Sequence, residues 1–218
     1  MAMIERYAAS PVAVLADRVR HLLEGGGLIS LPTESFYGLG ASPFDERALV
    51  RLWQVKGRSE GKPILVLIGN RSQLEPFVRN IPEAAQVLMN HFWPGPLTIV
   101  FPSALGLSYR VTAGTGSVGI RFSAWPPVRD LLCRVGPVTG TSANREGMPP
   151  PRTAAEVQDH LGDALDLIID GGPTPGEQPS TVIDTTGPIR MIRDGLIGRD
   201  VIAAQLAIYG LHLEAEGQ

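Results

Sequence analysis

Residues 28–40 read LISLPTESFYGLG, a short apolar run followed at once by small hydroxyls and glycines. The run Leu28 to Leu31 is predicted to form a buried strand, because a short apolar run that ends at Pro32 fits a strand better than a helix. In open α/β sheets, ligands bind just beyond the carboxyl ends of such strands. The segment therefore points to an α/β fold with a ligand site over residues 31–40, although a plain strand-to-loop turn explains it equally well when it is taken alone.

The rest of the chain alternates between helical and extended patterns. Residues 11–24 carry apolar residues at helical spacing and stop at the glycines 25–27. Asp45 and Thr153 are candidate helix caps, and Glu156 would complete a capping box with Thr153. Further helices are predicted over 45–55, 71–79, 82–92, 128–135 and 153–161. Strands are predicted over 64–68, 97–101, 118–122, 138–141, 167–169, 181–183 and 189–192, with a loop over 102–116. Because the last strands lack intervening helices, we expect an α/β fold with a mixed sheet.

The composition is that of an ordinary globular protein: 218 residues, 44% hydrophobic and 19% charged, with a net charge of −3. We expect one domain over residues 1–210 and a loose tail over 211–218. The single cysteine, Cys133, excludes a disulfide framework and a multi-cysteine metal site, and the net charge gives no bulk signal for nucleic acid. No apolar run approaches the ~20 residues of a membrane helix, and the first ten residues lack a signal-peptide core. A cytoplasmic protein without membrane association is expected.

One familiar motif fails its structural context. Residues 114–119 spell G-x-G-x-x-G, but a loop precedes them and a predicted strand follows, whereas a dinucleotide site needs a strand before and a helix after. No phosphate loop, nucleophile elbow or paired-histidine zinc motif is present, and the four histidines are isolated.

Three further segments combine polar groups with flexible backbone. Residues 56–62 place three cations and two glycines between a helix and a strand, which suits a polyphosphate but also a solvated basic turn. Residues 140–144 offer two hydroxyls and an amide after a short strand, or a simple capped turn. Residues 180–184 and Arg193 could close the same site, or form an ordinary hairpin.

Taken in order, these segments resemble the YrdC-like family of threonylcarbamoyl-AMP synthases. The family shows a P-T-E-T-x-Y-G-L-G segment, a K-x-R loop, W-P-G-P-x-T, V-x-V-R, S-x-N, and an S-T-x-x-D strand before R-x-G. The matching residues are 32–40, 56–58, 93–98, 118–121, 142–144, 180–184 and 193–195. The resemblance spans residues 10 to 200, and seven motifs in register make it specific.

The resemblance implies a fold and a reaction. The fold would be a twisted, open mixed sheet with flanking helices around a large basic cavity, in the single-domain form of the family. The reaction would condense L-threonine, bicarbonate or carbon dioxide, and ATP into threonylcarbamoyl-AMP and pyrophosphate, as a nucleotidyltransferase. The product would pass to the tRNA threonylcarbamoyl transferase machinery, and direct tRNA binding is a further expectation. No compact acidic motif marks a metal cage, so Mg²⁺ is expected to arrive with ATP and no protein metal ligand is assigned.

The resemblance also implies residue roles. Lys56 and Arg58 are the expected catalytic charges of the K-x-R loop. The expected ATP contacts are Arg58, Lys62, Ser117, Asn144, Arg152 and Arg193. The expected threonine contacts are Thr33, Arg121, Ser142 and Ser180.

Three departures from the family pattern concern amino-acid selection more than ATP use. Ser35 replaces a threonine, Leu67 stands where many members have a threonine-contacting histidine, and residues 121–126 depart from R-x-P-x-H-P. Two other functions stay open: a double-stranded RNA or tRNA-binding module, and a carbamoyl-transfer enzyme on the same fold.

Overall fold

The computed structural model describes residues 2–9, 11–57 and 61–215. The helices are α1 Val12–Glu24, α2 Glu46–Lys56, α3 Glu83–Phe92, α4 Tyr109–Thr112, α5 Pro126–Val135, α6 Ala154–Leu161 and α7 Arg199–Ala207. The strands are β1 Met3–Arg6, β2 Ile29–Leu31, β3 Gly38–Gly40, β4 Val66–Ile68, β5 Leu97–Pro102, β6 Ser117–Phe122, β7 Val138–Thr139, β8 Thr141–Ser142, β9 Leu167–Asp170, β10 Thr181–Asp184 and β11 Arg190–Arg193. In this part of the chain every helix is too short or too polar to span a bilayer.

The strands form two mixed sheets, so the expected α/β fold with flanking helices is confirmed. The five-stranded sheet has the order β1-β9-β2-β3-β8, and the six-stranded sheet has the order β11-β10-β5-β6-β4-β7. Each sheet contains both parallel and antiparallel pairs.

The chain passes from one sheet to the other at Gly140. A single strand over 138–141 was expected, but β7 pairs with β4 in one sheet and β8 pairs with β3 in the other. The N–H of Gly140 donates to the Leu65 carbonyl at 2.9 Å. A Cβ at this position would lie 2.4 Å from Cγ of Leu67, so the crossing point has room only for glycine. The prediction of one strand here was wrong because neighbouring strands in sequence need not share a sheet.

Three apolar clusters hold the layers together. The first packs α3 and α7 against the six-stranded sheet, with Phe77 and Phe101 fully buried. The second joins α1 and α5 to residues of both sheets, including Leu31 and Leu67. The third packs α2 and α6 against the five-stranded sheet around Tyr37.

Both predicted caps are present. The Asp45 carboxylate accepts from the N–H groups of Arg47 and Ala48, and the Thr153 hydroxyl accepts from the N–H of Glu156. The Glu156 carboxylate accepts from the N–H of Arg152. In the expected capping box it would accept from the N–H of Thr153, so the donor lies one residue earlier than expected.

Other local predictions were wrong or missing. The helix predicted over 71–79 is a single 3₁₀ turn, Arg71–Leu74, and the loop predicted over 102–116 contains α4. No prediction covered β1, β3 or α7. In the segment expected to be a loose tail, Leu213 bridges to Ile189 and the N–H of Glu214 donates to the Ile189 carbonyl at 2.8 Å.

Gly195 marks a close approach between the turn after β11 and the start of β10. A Cβ at Gly195 would lie 2.4 Å from the Pro179 carbonyl oxygen and 2.7 Å from the Thr181 nitrogen. We expect Gly195→Ala to lower the free energy of unfolding by about 1 to 3 kcal/mol, because backbone atoms must move apart. Urea unfolding measures this.

Gly187→Ala is the matched control, since nothing lies within 4 Å of its added Cβ. Its effect should stay within about 0.5 kcal/mol. Equal effects of the two substitutions would contradict the close approach.

Candidate functional site

The floor of the site is one row of residues across the six-stranded sheet. Arg121 on β6 pairs with Thr98 on β5, Thr98 pairs with Val182 on β10, and Val182 pairs with Arg193 on β11. Residues that are paired in this way point to the same face of a sheet. All four line one cavity, so two arginines lie three strands apart above the same floor.

Strand β6 lines the cavity with every second residue. Ser117, Gly119 and Arg121 all border it, as the alternation of a strand requires. Gly119 lies on the same strand as Arg121, and a Cβ there would stand 3.4 Å from the Thr98 methyl carbon of β5, so the glycine leaves this part of the floor without a side chain. The second half of the G-x-G-x-x-G motif, residues 117–119, therefore lies in a strand and not at the start of a helix, as predicted.

Arg193 is held by Ser180. Its Nε donates to the Ser180 carbonyl at 3.0 Å and its Nη2 donates to the Ser180 hydroxyl at 3.0 Å. That hydroxyl also lies 3.0 Å from the Thr98 hydroxyl. Burial, and after it the positive charge of Arg121, lower the pKa of Arg193.

Arg121 is buried, with 4% of its surface exposed, and is fixed by the P-T-E-S segment. Its Nη2 lies 2.8 Å from the Glu34 carboxylate, its Nε donates to the same oxygen at 3.1 Å, and its Nη1 donates to the Ser35 hydroxyl at 3.1 Å. Burial would raise the pKa of Glu34, but Arg121 and the Ser123 hydroxyl outweigh it and hold that pKa below its usual range. Glu34 is therefore an anion that offsets part of the charge of Arg121.

Lys56 is a buried ammonium at the end of α2. Its Nζ donates to the carbonyl oxygens of Ser142 and Asn144 at 2.7 and 2.9 Å, and lies 3.2 and 3.3 Å from their side-chain oxygens. The lysine thereby fixes the S-x-N segment. Because these hydrogen bonds fix the ammonium group, its positive charge stays at the cavity wall.

These side chains surround a cavity of about 900 Å³, which is in the range of small-molecule sites. Of the residues expected to contact threonine, the cavity is lined by Thr33, Arg121, Ser142 and Ser180. Of the residues expected to contact ATP or carry catalytic charge, it is lined by Lys56, Lys62, Ser117, Asn144 and Arg193.

Two expected site residues do not join this group. Arg58 lies outside the described residues. Arg152 is exposed and is not part of the cavity wall; its side-chain stem packs where a Cβ on Gly176 would come within 2.5 Å. Their contacts with ATP stay predictions.

Three residues of the site received no individual role from the sequence. Thr98 interrupts the apolar run of β5, and a hydroxyl inside a buried strand was the available signal. Tyr37 lines the cavity and donates to the Gly172 carbonyl at 2.8 Å, and burial raises its pKa to about 12. Glu146 lines the cavity and pairs with Lys62. No group of three or more potential metal ligands occurs among residues 2–9, 11–57 and 61–215.

The sequence is similar to those of a known protein family and of several named proteins. The family model for Sua5, YciO and YrdC, described as "Telomere recombination", matches residues 21–195. The "Threonylcarbamoyl-AMP synthase" of Thiobacillus denitrificans is 38% identical over 169 residues, which cover 77% of this chain and 89% of the relative. The protein of the same name from Bacillus subtilis is 38% identical over 186 residues, 84% of this chain and 54% of the relative.

A solved structure matches over nearly the whole chain. The Pyrococcus abyssi Sua5 crystal structure in complex with L-threonine superposes with a TM-score of 0.88 at 32% identity. The match covers 98% of this chain and 62% of the Pyrococcus abyssi chain, so this chain spans less than two thirds of the length of the Pyrococcus abyssi protein.

Glu34 generates a prediction that depends on pH. Glu34→Gln keeps the side-chain shape but leaves the buried Arg121 without a counter-charge, so unfolding should become easier by roughly 3 kcal/mol at pH 7. Because the pKa of Glu34 is lowered on folding, its contribution is complete above the ordinary value of 4.5 and is lost as pH falls through the folded value. The difference from the unsubstituted protein should therefore shrink below pH 4.5.

Urea unfolding between pH 7 and pH 3.5 measures the difference. Glu75→Gln, at an exposed site outside the cavity, is the control and should change little. A Glu34→Gln effect that stays constant over the whole pH range would contradict the charge pairing.

Proposed function

The chain belongs to the Sua5/YciO/YrdC family, and on that basis we propose that it is an L-threonylcarbamoyladenylate synthase, a nucleotidyltransferase that joins L-threonine, bicarbonate or carbon dioxide, and ATP. Its relatives carry the name threonylcarbamoyl-AMP synthase. The observation that carries the proposal is the cavity, in which four cations from three separate chain segments, Lys56 and Lys62, Arg121, and Arg193, face a common space that is also lined by hydroxyl groups.

The proposed reaction faces one main obstacle, which is repulsion between anions. The neutral threonine amine adds to carbon dioxide; an N–C bond forms as one C–O π bond opens, and the nitrogen releases a proton to solvent, which gives a carbamate. A carbamate oxygen then bonds to the α-phosphorus as the bond from that phosphorus to the bridging oxygen breaks, and pyrophosphate leaves with the electron pair. If bicarbonate supplies the carbon, one water is released. No protein nucleophile is required, so positioning and charge neutralisation can supply the catalysis.

The proposed roles follow the positions in the cavity. Arg121, fixed by Glu34 and next to Thr33, faces the threonine carboxylate. Arg193, held by Ser180, faces the phosphates. The Ser180 hydroxyl contacts both Thr98 and Arg193, so in this proposal it lies between the threonine and the phosphates. We assign Ser142 to the residues that contact threonine, called the threonine set. The residues that contact ATP, called the nucleotide set, also include Lys62, Ser117, Asn144 and Arg58.

Lys56 serves both sets in this proposal. Its ammonium lies among the oxygens of Ser142 and Asn144, and so holds one residue from each set while adding positive charge. Mg²⁺, when bound with ATP, would reduce the negative charge of the phosphate oxygens. Among the described residues of the wall, the carboxylate that could contact it is that of Glu146, beside Lys62.

Substrate omission tests the proposed reaction. Pyrophosphate release from ATP should require both L-threonine and bicarbonate, and should drop to background when either is left out. Release with carbamoyl phosphate in place of the two substrates would support the carbamoyl-transfer alternative. Salt-sensitive binding of double-stranded RNA without any pyrophosphate release would support the RNA-binding alternative.

The cationic residues yield a second prediction. Losing a charge-assisted contact in such a site costs about 2 to 4 kcal/mol of transition-state stabilisation, so Lys56→Ala, Arg58→Ala and Arg193→Ala should each lower kcat/KM roughly 30- to 1000-fold. Arg79→Ala, an exposed position outside the cavity, should keep near-normal turnover.

Thermal unfolding of each variant separates a catalytic loss from misfolding, and Lys56→Arg tests whether charge alone suffices. Near-normal turnover by Lys56→Ala and Arg193→Ala would contradict the proposed roles.

A further inference from the structure

Glu146 is the one carboxylate among the described residues that line the cavity. The other charged side chains of that part of the wall are Lys56, Lys62, Arg121 and Arg193, all cationic. An acidic side chain beside a site for a triphosphate opposes binding by repulsion, unless a cation lies between the two. The position of Glu146 therefore calls for a cationic partner both in the free protein and in the ATP complex.

In the structure that partner includes Lys62. The two side chains form an ion pair between the loop after α2 and the loop after β8, across 84 residues of sequence. The Lys62 side chain is 56% exposed and that of Glu146 is 31% exposed. An ion pair this exposed contributes little to stability, so exchanging its partners costs little.

The backbone around Glu146 is better fixed than its ion pair. The N–H of Glu146 donates to the Lys56 carbonyl at 2.8 Å. The Asn144 amide donates to the carbonyl oxygens of Arg145 and Met148, which closes the turn, and Gly147 takes the positive φ of 86° that the turn needs. The carboxylate is therefore kept at the cavity wall when Lys62 turns away.

ATP would compete with Glu146 for Lys62, because its phosphates carry more negative charge than one carboxylate. When Lys62 turns to the phosphates, the carboxylate of Glu146 gives up this ion pair while it lies close to them. Mg²⁺ prefers oxygen ligands and in nucleotide sites commonly takes one or two carboxylates, the phosphates and several waters. A single carboxylate on the wall thus matches what the metal of MgATP needs from a protein.

We infer that Glu146 exchanges Lys62 for the Mg²⁺ of bound MgATP, and so contacts the metal directly or through one of its waters. Lys62 then pairs with the phosphates. The inference rests on the proposed function, because it requires ATP in the cavity. It gives the chain a specific preference for MgATP over metal-free ATP.

Equilibrium binding of ATP tests this without any turnover. Dissociation constants are measured by calorimetry with excess Mg²⁺ and with EDTA, at one ionic strength. Glu146→Gln should bind metal-free ATP about threefold more tightly, because a competing and repelling charge is gone. It should bind MgATP at least about tenfold more weakly, because a metal contact is gone.

Three variants make the comparison specific. Lys62→Met should weaken the binding of both forms of ATP, since it removes a phosphate contact. Glu146→Asp keeps a carboxylate and should retain most of the preference for MgATP. Glu75→Gln, exposed and outside the cavity, should bind both forms like the unsubstituted protein.

Opposite changes in the two Glu146→Gln affinities would establish the exchange. If Glu146→Gln binds metal-free ATP and MgATP more tightly by the same factor, the metal contact is overturned, and Glu146 only competes with ATP for Lys62. No change in either affinity would overturn the inference altogether. If the unsubstituted protein binds neither form of ATP, the proposed function fails and the inference falls with it.

Discussion

Two guanidinium groups share one cavity floor, and the rest of the site depends on how the fold keeps them there. Arg121 and Arg193 stand in the same row of the six-stranded sheet, with Thr98 and Val182 between them. Burial, and after it the positive charge of Arg121, lower the pKa of Arg193, so the charged form of Arg193 needs support. The fold meets this cost with specific partners: Glu34 pairs with Arg121, and Ser180 accepts two hydrogen bonds from Arg193. A cavity in which positive charge is held in place in this way is suited to bind anions.

The same constraint explains why the site is assembled from distant segments. A sheet places residues from four strands side by side, while the end of α2 adds Lys56 and the loops after α2 and β8 add Lys62 and Asn144. Each cation is supported by oxygens of another segment, so none depends on its sequence neighbours alone. For a reaction between a carbamate and a triphosphate, such prearranged charge reduces the repulsion that otherwise keeps the two anions apart.

Much of the local structure follows from the sequence, and the convergence of the site does not. The α1 helix, the Asp45 and Thr153 caps and the strand after Gly27 rest on local spacing and hydrogen bonding, which sequence patterns report well. The change of sheet at Gly140, the glycine-rich β3 and the weakly amphipathic α7 depend on tertiary pairing, which overrides local preference.

The candidate site shows the same division. Taken from the residues alone, the basic loop at Lys56 suited a solvated turn as well as a phosphate site, and only the resemblance to a family joined it to Arg193. Thr98, Tyr37 and Glu146 received no role, because their importance comes from neighbours that are distant in sequence. Arg152 received a role in ATP binding from the resemblance, yet its side chain is exposed outside the cavity wall.

The most direct measurement follows the carbon atom that must join the two anionic reactants in this cavity. The protein is incubated with ATP, L-threonine and ¹³C-labelled bicarbonate, and the products are analysed by mass spectrometry. We expect threonylcarbamoyl-AMP that carries one ¹³C atom, formed together with pyrophosphate. Cleavage of ATP without a labelled adduct of threonine and AMP would contradict the claim that this cavity brings the carbamate to the α-phosphorus.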